Sequence, residues 1–473
     1  MPATPQFAAA LHILATLRAA GYEAYLAGGC VRDLLLSREP ADYDVATSAT
    51  PDVVLNMFPR TFAVGAHFGV VLVSEPENLS KEVAPPQVEV ATFRSDGAYS
   101  DGRHPDQVRY TLSADEDVQR RDFTINGLLL DPLRGPLRAG GPLDEILSDP
   151  ESIRAAVVDR VGGLADLDAG ILRAIGEPMR RFQEDQLRLL RAVRFAARFN
   201  FTIEPATFAA IRAPAPRIHA VSKERVRDEL TKMLTEGRAR RAFELLDETG
   251  LLMEVLPEIA CMKGVAQPPQ YHPEGDVFIH TLLLLAQLPA DCPPTLAWGA
   301  LLHDVGKPPT FRVAPDRIRF DGHVEVGVAI GAEICRRLRF SNEDTRQILS
   351  LIENHMRFAD APRMKDSTLK RFFRLDAFDQ HLALHRMDCL AAHGNLDIYD
   401  FVRNRYESTP AEVVRPRPLL TGRELIAAGY TPGPAFHVML AAVEDAQLEG
   451  AISTPEEAHA LVRQRFGPAS PKA

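Results

Sequence analysis

The apolar residues of this chain change period near Pro150, and that change restricts the fold more than any single motif. Up to about residue 135, short β-like runs occur at EAYLAG, DYDVAT, GVVLVSE and QVEVATF, separated by helix-like or Gly-, Pro- and Asp-rich segments. Beyond Pro150, amphipathic helices such as MRRFQEDQLRLLRAVRFAARF and KERVRDELTKMLTEG follow one another. Strands gathered at one end and helices at the other specify an α+β fold, not an alternating α/β one. At 473 residues the chain exceeds one compact core, so two to four domains are expected. Connectors at APAPR, AQPPQYHPEGD and STPAEVVRPRPLL suggest a strand-bearing block at 1–149, helical blocks at 150–265 and 266–405, and a helical tail at 406–473.

Composition narrows the setting. The formal net charge is −10, so any nucleic-acid contact must come from local basic clusters, not from bulk attraction. The five cysteines are scattered, which fits a reducing compartment and no zinc ribbon. The N-terminal segment reads as an amphipathic helix with Phe7, Leu11, Leu14 and Leu17 on one face, without a signal-peptide pattern. No stretch reaches the roughly 18–20 apolar residues of a membrane span. The expectation is a cytoplasmic protein with no membrane partner and no DNA partner.

Within the first block, LAGGCVRDLLLSREPADYDVAT sets two glycines, an Arg-Asp pair and two aspartates close together. Residues two apart on a strand share a face, so Asp42 and Asp44 should project together. Adjacent carboxylates stay ionised cheaply only near a cation, and an all-oxygen set suits Mg2+. Gly28 and Gly29 end a strand before a helix, where backbone N–H groups can meet phosphate, and Arg32 adds a cationic fork. Glu89 in QVEVATF would be a third carboxylate if its strand lies beside Asp44; a strand-edge ion pair is the equal alternative. Two later segments, RRDFTINGLLLDP with Arg121, Asp122 and Asn126, and EDQLRLLRAVRF with Asp185, Arg188, Arg191 and Arg194, carry similar charge. On one helix, Asp185 and Arg188 would share a face that Arg191 and Arg194 continue.

In this order, LAGGCVRDLLLSREPADYDVAT, EVATFRSDGAYSDGRHPD, RRDFTINGLLLDP, VGGLADL, ILRAIGEP and RFQEDQLRLLRAVRFAARF resemble the bacterial tRNA nucleotidyltransferase/poly(A) polymerase family, the class II CCA-adding enzymes. The resemblance implies a nucleotidyltransferase (polymerase beta-like) mixed-sheet head, followed by helical neck and body regions that select the nucleobase and bind RNA. It implies attack of a tRNA 3′-hydroxyl on the α-phosphate of CTP or ATP, with release of pyrophosphate by a two-metal mechanism. Asp42, Asp44 and Glu89 would be catalytic, with Mg2+ on Asp42 and Asp44. Gly28, Gly29, Arg32, Arg121, Asp122, Asn126, Asp185, Arg188, Arg191 and Arg194 would bind nucleotide. Cytosine and adenine both present an amine donor beside a ring-nitrogen acceptor, so a carboxylate next to an Arg fork, as in Asp185 and Arg188, suits both and rejects uracil and guanine. The segment RSDGAYSDGRHPD would be the flexible loop needed for the change from C to A addition.

The second helical block carries His280, His303, Asp304, His323, His355 and Asp388. His280, His303, Asp304 and Asp388 resemble the HD superfamily of metal-dependent phosphohydrolases, with His323 and His355 able to extend the site to a second metal. Mixed imidazole and carboxylate donors suit a divalent transition metal without choosing one. An accessory phosphohydrolase activity is a further implication, against a helical scaffold that only supports tRNA. The resemblance leaves a poly(A) polymerase as one alternative. A hydrolase of the HD class, with the head as an RNA-docking module, is the other.

Overall fold

The computed structural model describes residues 4–63, 69–74, 85–96, 108–133, 149–213, 215–270 and 272–469. The chain forms two compact units, one of residues 1–233 with 241–256, the other of residues 234–240 with 257–473.

Among the described residues, the first unit is built on a seven-stranded mixed sheet. Its strands are β1 (Ala24–Ala27), β2 (Asp44–Thr47), β3 (Thr61–Phe62), β4 (Val70–Ser74), β5 (Gln87–Thr92), β8 (Leu129–Leu130) and β9 (Val157–Val158). They lie in the order β3-β4-β5-β2-β1-β8-β9, while β6 (Arg94–Asp96) and β7 (Val108–Tyr110) form a separate hairpin. All four β-like runs of the sequence are strands. Strand β1 reads as an apolar run because it sits mid-sheet: Ala24, Leu26 and Ala27 are fully buried. Strand β5 alternates instead, with Val88 and Val90 buried and Gln87 and Glu89 exposed.

The helix Pro5–Ala19 covers β1, β2 and β5. Thr4 caps it by accepting from Phe7 N at 3.2 Å, and Pro5 sits in the first turn, where no N–H is needed. It buries Phe7, Ile13, Leu14 and Leu17, each contributing about 2 kcal/mol of transfer free energy.

Strand pairing does not stop at residue 149. Strand β9 adds to the sheet beside β8, and Ile171–Leu172 pairs in parallel with Thr202–Ile203 as a separate two-stranded sheet. Two-residue strands are too short to leave a periodic signature, so the sequence pattern misses them.

The second unit is helical. Its central helices are Val277–Leu285, Pro294–Leu302, His323–Arg337, Asn342–Asn354 and Phe378–Ala391, and Gly422–Ala427, Pro434–Leu448 and Pro455–Phe466 make the tail. The segment STPAEVVRPRPLL is packed, not free: it holds a short helix, Ala411–Val414, and buries Val414 and Leu420. No helix among the described residues is long and apolar enough to cross a membrane.

Candidate active site and metal centre

In the first unit, the turn from β1 into the helix Gly29–Leu35 depends on Gly28. Its φ is +77°, and a Cβ there would meet Arg121 Nη1 at 2.9 Å. The parallel pairing of β2 with β5 sets Asp44 opposite Glu89, which brings the third carboxylate beside the first pair. Asp42 lies just ahead of the strand and is exposed, so the strand begins at Asp44 and not at Asp42 as the alternation suggests. Burial, then the charges of Asp42 and Glu89, push the Asp44 carboxyl up to about 7 against the pull of Arg121. A cation beside these groups would relieve that repulsion, so the donor set fits a hard divalent ion.

Other expected nucleotide-binding residues are placed differently from a simple ligand cradle. Arg32 is 4% exposed: its Nε donates to Asp33 at 2.9 Å, its Nη1 donates to Asn126, and its guanidinium lies over Phe199 and Phe195 at 4.5 and 5.3 Å. The expected open fork is thus buried within the head. Asp122 accepts from Phe123 N and Asn126 Nδ2 on one oxygen and from Arg191 Nε and Nη2 on the other. Burial works against its charge, but Arg191 and Asn126 hold the carboxyl below the usual range.

The run RFQEDQLRLLRAVRFAARF is two helices, not one. Pro178–Glu184 ends before Asp185, whose backbone is extended, and Leu187–Phe199 begins after it. Asp185 and Arg188 therefore do not share the face of a single helix. Asp185 accepts from Leu187 N at 3.0 Å, at the start of the second helix, and from Arg225 at 3.2 Å. Arg188 donates to Glu184 at 3.0 Å and to the carbonyls of Arg181 and Arg120. Arg194 is buried against Glu229 at 2.7 Å. The arginine stripe is thus spent largely on internal pairing. Asp117 had no distinguishing signal in the sequence, yet it is 1% exposed and binds both Arg120 and Arg121. Of the expected C-to-A loop, Arg94 to Asp106, only residues 94–96 are described; the rest lies outside the described residues.

In the second unit, five helices bring side chains to one region, some from their ends and some from within. His280 stands on Val277–Leu285, His303 and Asp304 follow Pro294–Leu302, His323 begins His323–Arg337, His355 follows Asn342–Asn354, and Asp388 stands on Phe378–Ala391. Gly306 permits this convergence, since a Cβ there would strike the His323 carbonyl at 2.0 Å. The Nδ1 atoms of His303, His323 and His355 face backbone carbonyls at 2.9, 2.9 and 2.7 Å, and His280 Nδ1 faces Glu274 at 2.8 Å. These bonds turn all four Nε2 atoms inward, where they are buried without a hydrogen-bond partner.

His303 Nε2 is 3.1 Å from Asp304, and His280 Nε2 is 3.0 Å from Asp388, both without hydrogen-bond direction. His323 and His355 Nε2 lie 3.9 and 3.8 Å from the other Asp304 oxygen. The ligating atoms of His280, His303 and Asp304, and those of Asp304, His323 and His355, lie within 4.8 Å of one another. Two triads sharing Asp304 fit one or two metal ions. Burial pushes His355 down to about 4, so it is neutral; against burial, Asp388 and Glu274 lift His280 to about 9. His272 and Glu274 complete a third group around His280, and they come from the segment that reads as a connector. Lys307 Nζ, 2.7 Å from Asp304, was likewise missed; all three belong to short HPEGD and HDVGK runs beside the expected ligands. The head carboxylates do not converge as closely: among the described residues, the tight donor sets are those of the second unit.

Residues 24–173 match the family described as the poly A polymerase head domain, residues 200–262 the probable RNA and SrmB-binding site of polymerase A, and residues 278–381 the HD domain. The chain is 31% identical over 460 residues to the CCA-adding enzyme of Levilactobacillus brevis, covering 97% of each. It is 37% identical over 289 residues to that of Lactobacillus johnsonii, a match spanning 60% of this chain and 65% of the relative. The crystal structure of the Bacillus stearothermophilus CCA-adding enzyme in complex with CTP is similar with a TM-score of 0.71 at 27% identity, over 98% of both chains. End-to-end similarity at this level, on a mixed-sheet head and a helical HD centre, means that the chain belongs to the CCA-adding enzyme family.

Proposed function

We propose that this protein builds the CCA end of tRNA, transferring CMP and AMP from CTP and ATP to the RNA 3′-hydroxyl and releasing pyrophosphate. The observation that carries the reading is the β2–β5 register, which sets Asp44 beside Glu89 next to the Gly28 turn, in a chain similar throughout to a CCA-adding enzyme. Asp42, Asp44 and Glu89 would hold Mg2+, which when bound stabilises charge on the attacking oxygen and on the triphosphate. The Gly28–Gly29 turn offers backbone N–H groups to phosphate, with Arg121 alongside. Asp185 supplies an acceptor and Arg188 its donors to the pairing edge of C or A, each steadied by a second residue, Arg225 and Glu184. The relatives by name favour CCA addition over poly(A) synthesis.

The division into a head at 1–149, neck and body at 150–265, an HD domain at 266–405 and a tail at 406–473 follows the same reading, as does a cytoplasmic setting. His280, His303, Asp304, His323, His355 and Asp388 would hold a divalent transition metal, which would supply Lewis-acid and nucleophilic-water chemistry for an accessory phosphohydrolase. Lys307 and Arg319 line the cavity of about 740 Å³ beside them and would receive anionic groups. The nucleotidyl reading is tested with tRNA lacking its CCA end, Mg2+ and each nucleoside triphosphate singly. CMP incorporation with CTP and none with UTP or GTP is expected; no incorporation with any of them overturns it.

A further inference from the structure

Five side chains form an unbroken polar line through the first unit. Asp33 accepts from Arg32, Arg32 donates to the Asn126 carbonyl oxygen, the Asn126 amide donates to Asp122 at 3.0 Å, and Asp122 accepts two bonds from Arg191 at 2.9 and 2.7 Å. Asp33, Arg32, Asn126 and Asp122 are all at least nine-tenths buried. The line starts on the helix that follows the Gly28 turn and ends on the helix Leu187–Phe199, one turn from Arg188. Phe195 is shared by both ends: Arg32 and Arg191 lie over its ring at 5.3 and 5.1 Å. Arg188 ties the helix Leu187–Phe199 to the Arg120 carbonyl, and Arg181 on the preceding helix Pro178–Glu184 donates to the Gln119 carbonyl, both just before Asp122.

We infer that Asp122, Asn126 and Arg191 are positioning residues that couple base selection to triphosphate placement. This extends the nucleotidyltransferase reading and rests on it. Both Asp122 oxygens and both polar ends of the Asn126 amide are engaged within the line, so their first task is to orient their neighbours. Satisfied buried networks of alternating donors and acceptors are stiff, because any displacement strands a desolvated partner. A base that seats badly against Asp185 and Arg188 therefore shifts Arg191, and through Asp122 and Asn126 it shifts Arg32 and the turn at Gly28. A wrong base would thus be rejected twice, once at its edge and once by a misplaced triphosphate.

The test uses Asn126, which sits toward the turn end of the line, and measures base choice. With tRNA ending at its discriminator nucleotide, kcat/KM is measured for CTP and UTP with wild type, Asn126→Ala, Arg191→Ala and the double variant. Coupling predicts that Asn126→Ala narrows the CTP-to-UTP ratio by about tenfold or more, and that the double variant is little worse than the poorer single one. Asn126→Ser, which keeps one donor and one acceptor, should recover part of the ratio, and it serves as the variant of record if Asn126→Ala does not fold by circular dichroism. An unchanged ratio with uniformly lower rates, or losses that multiply, overturns the inference. A wild type that incorporates no CMP overturns the underlying reading as well, so the two failures are distinguishable.

Discussion

A methyl group at position 28 would meet Arg121 at 2.9 Å in a backbone conformation with φ of +77°, so the glycine there is a steric requirement of the turn. Gly28→Ala is expected to cost about 1–3 kcal/mol of stability, read as a lower denaturation midpoint, together with a larger loss of kcat/KM as Arg121 is displaced. Asp44 gives a pH prediction. Its carboxyl titrates near 7 in the fold, above the ordinary value of 3.8. Between those values the metal-free fold holds a proton that the unfolded chain has lost, so stability falls as pH rises through that window. Mg2+ binds the ionised form, so the gain in Tm on adding Mg2+ should be larger at pH 8 than at pH 5; an equal gain would count against Asp44 as a ligand. The Gly28 turn and the placing of Glu89 beside Asp44 were legible because a glycine pair between strand and helix, and a carboxylate on a second strand, each point to a specific local geometry. Asp117 was not, since an acid inside a helix usually forms an exposed pair, and only the tertiary structure shows that it anchors two arginines.

At the level of elements, helix and strand identity followed from hydrophobic period, while the break at Asp185 did not. Periodicity runs through the break because both helices bury Phe182, Leu189 and Leu190 on matching faces, and only the extended backbone of Asp185 interrupts them. At the break, Asp185 accepts from Leu187 N and from Arg225. Arg188→Ala should relax selection of CTP and ATP against UTP and leave Mg2+ dependence intact, measured by primer extension across a Mg2+ titration. The same helix is anchored by Arg194 against Glu229, whose side chains are 7% and 5% exposed. Glu229→Ala removes the carboxylate from a buried guanidinium and should destabilise the protein by about 3–5 kcal/mol, measured by urea unfolding. A change under 1 kcal/mol would mean that Arg194 finds another partner.

Across the whole chain, two kinds of donor set lie in two different folds: carboxylates on and beside the neighbouring interior strands β2 and β5, and histidines with aspartates on a group of helices. The gathering of His280, His303, Asp304, His323 and His355 in one place was expected from the resemblance to the HD superfamily. Glu274, which aims His280, was not, because it lies in a Pro-rich stretch with no period to mark it. His303→Ala with Asp304→Ala should abolish bound transition metal, measured by elemental analysis, while CMP incorporation persists; loss of both would contradict separate centres. The central claim rests on the head carboxylates, and the intact mass of the RNA product tests it most directly. With CCA-less tRNA, CTP, ATP and Mg2+, the wild type should add C, C and A and then stop, and Asp44→Ala should add nothing. A long A tract, or an Asp44→Ala protein that extends tRNA as well as wild type does, would contradict the account.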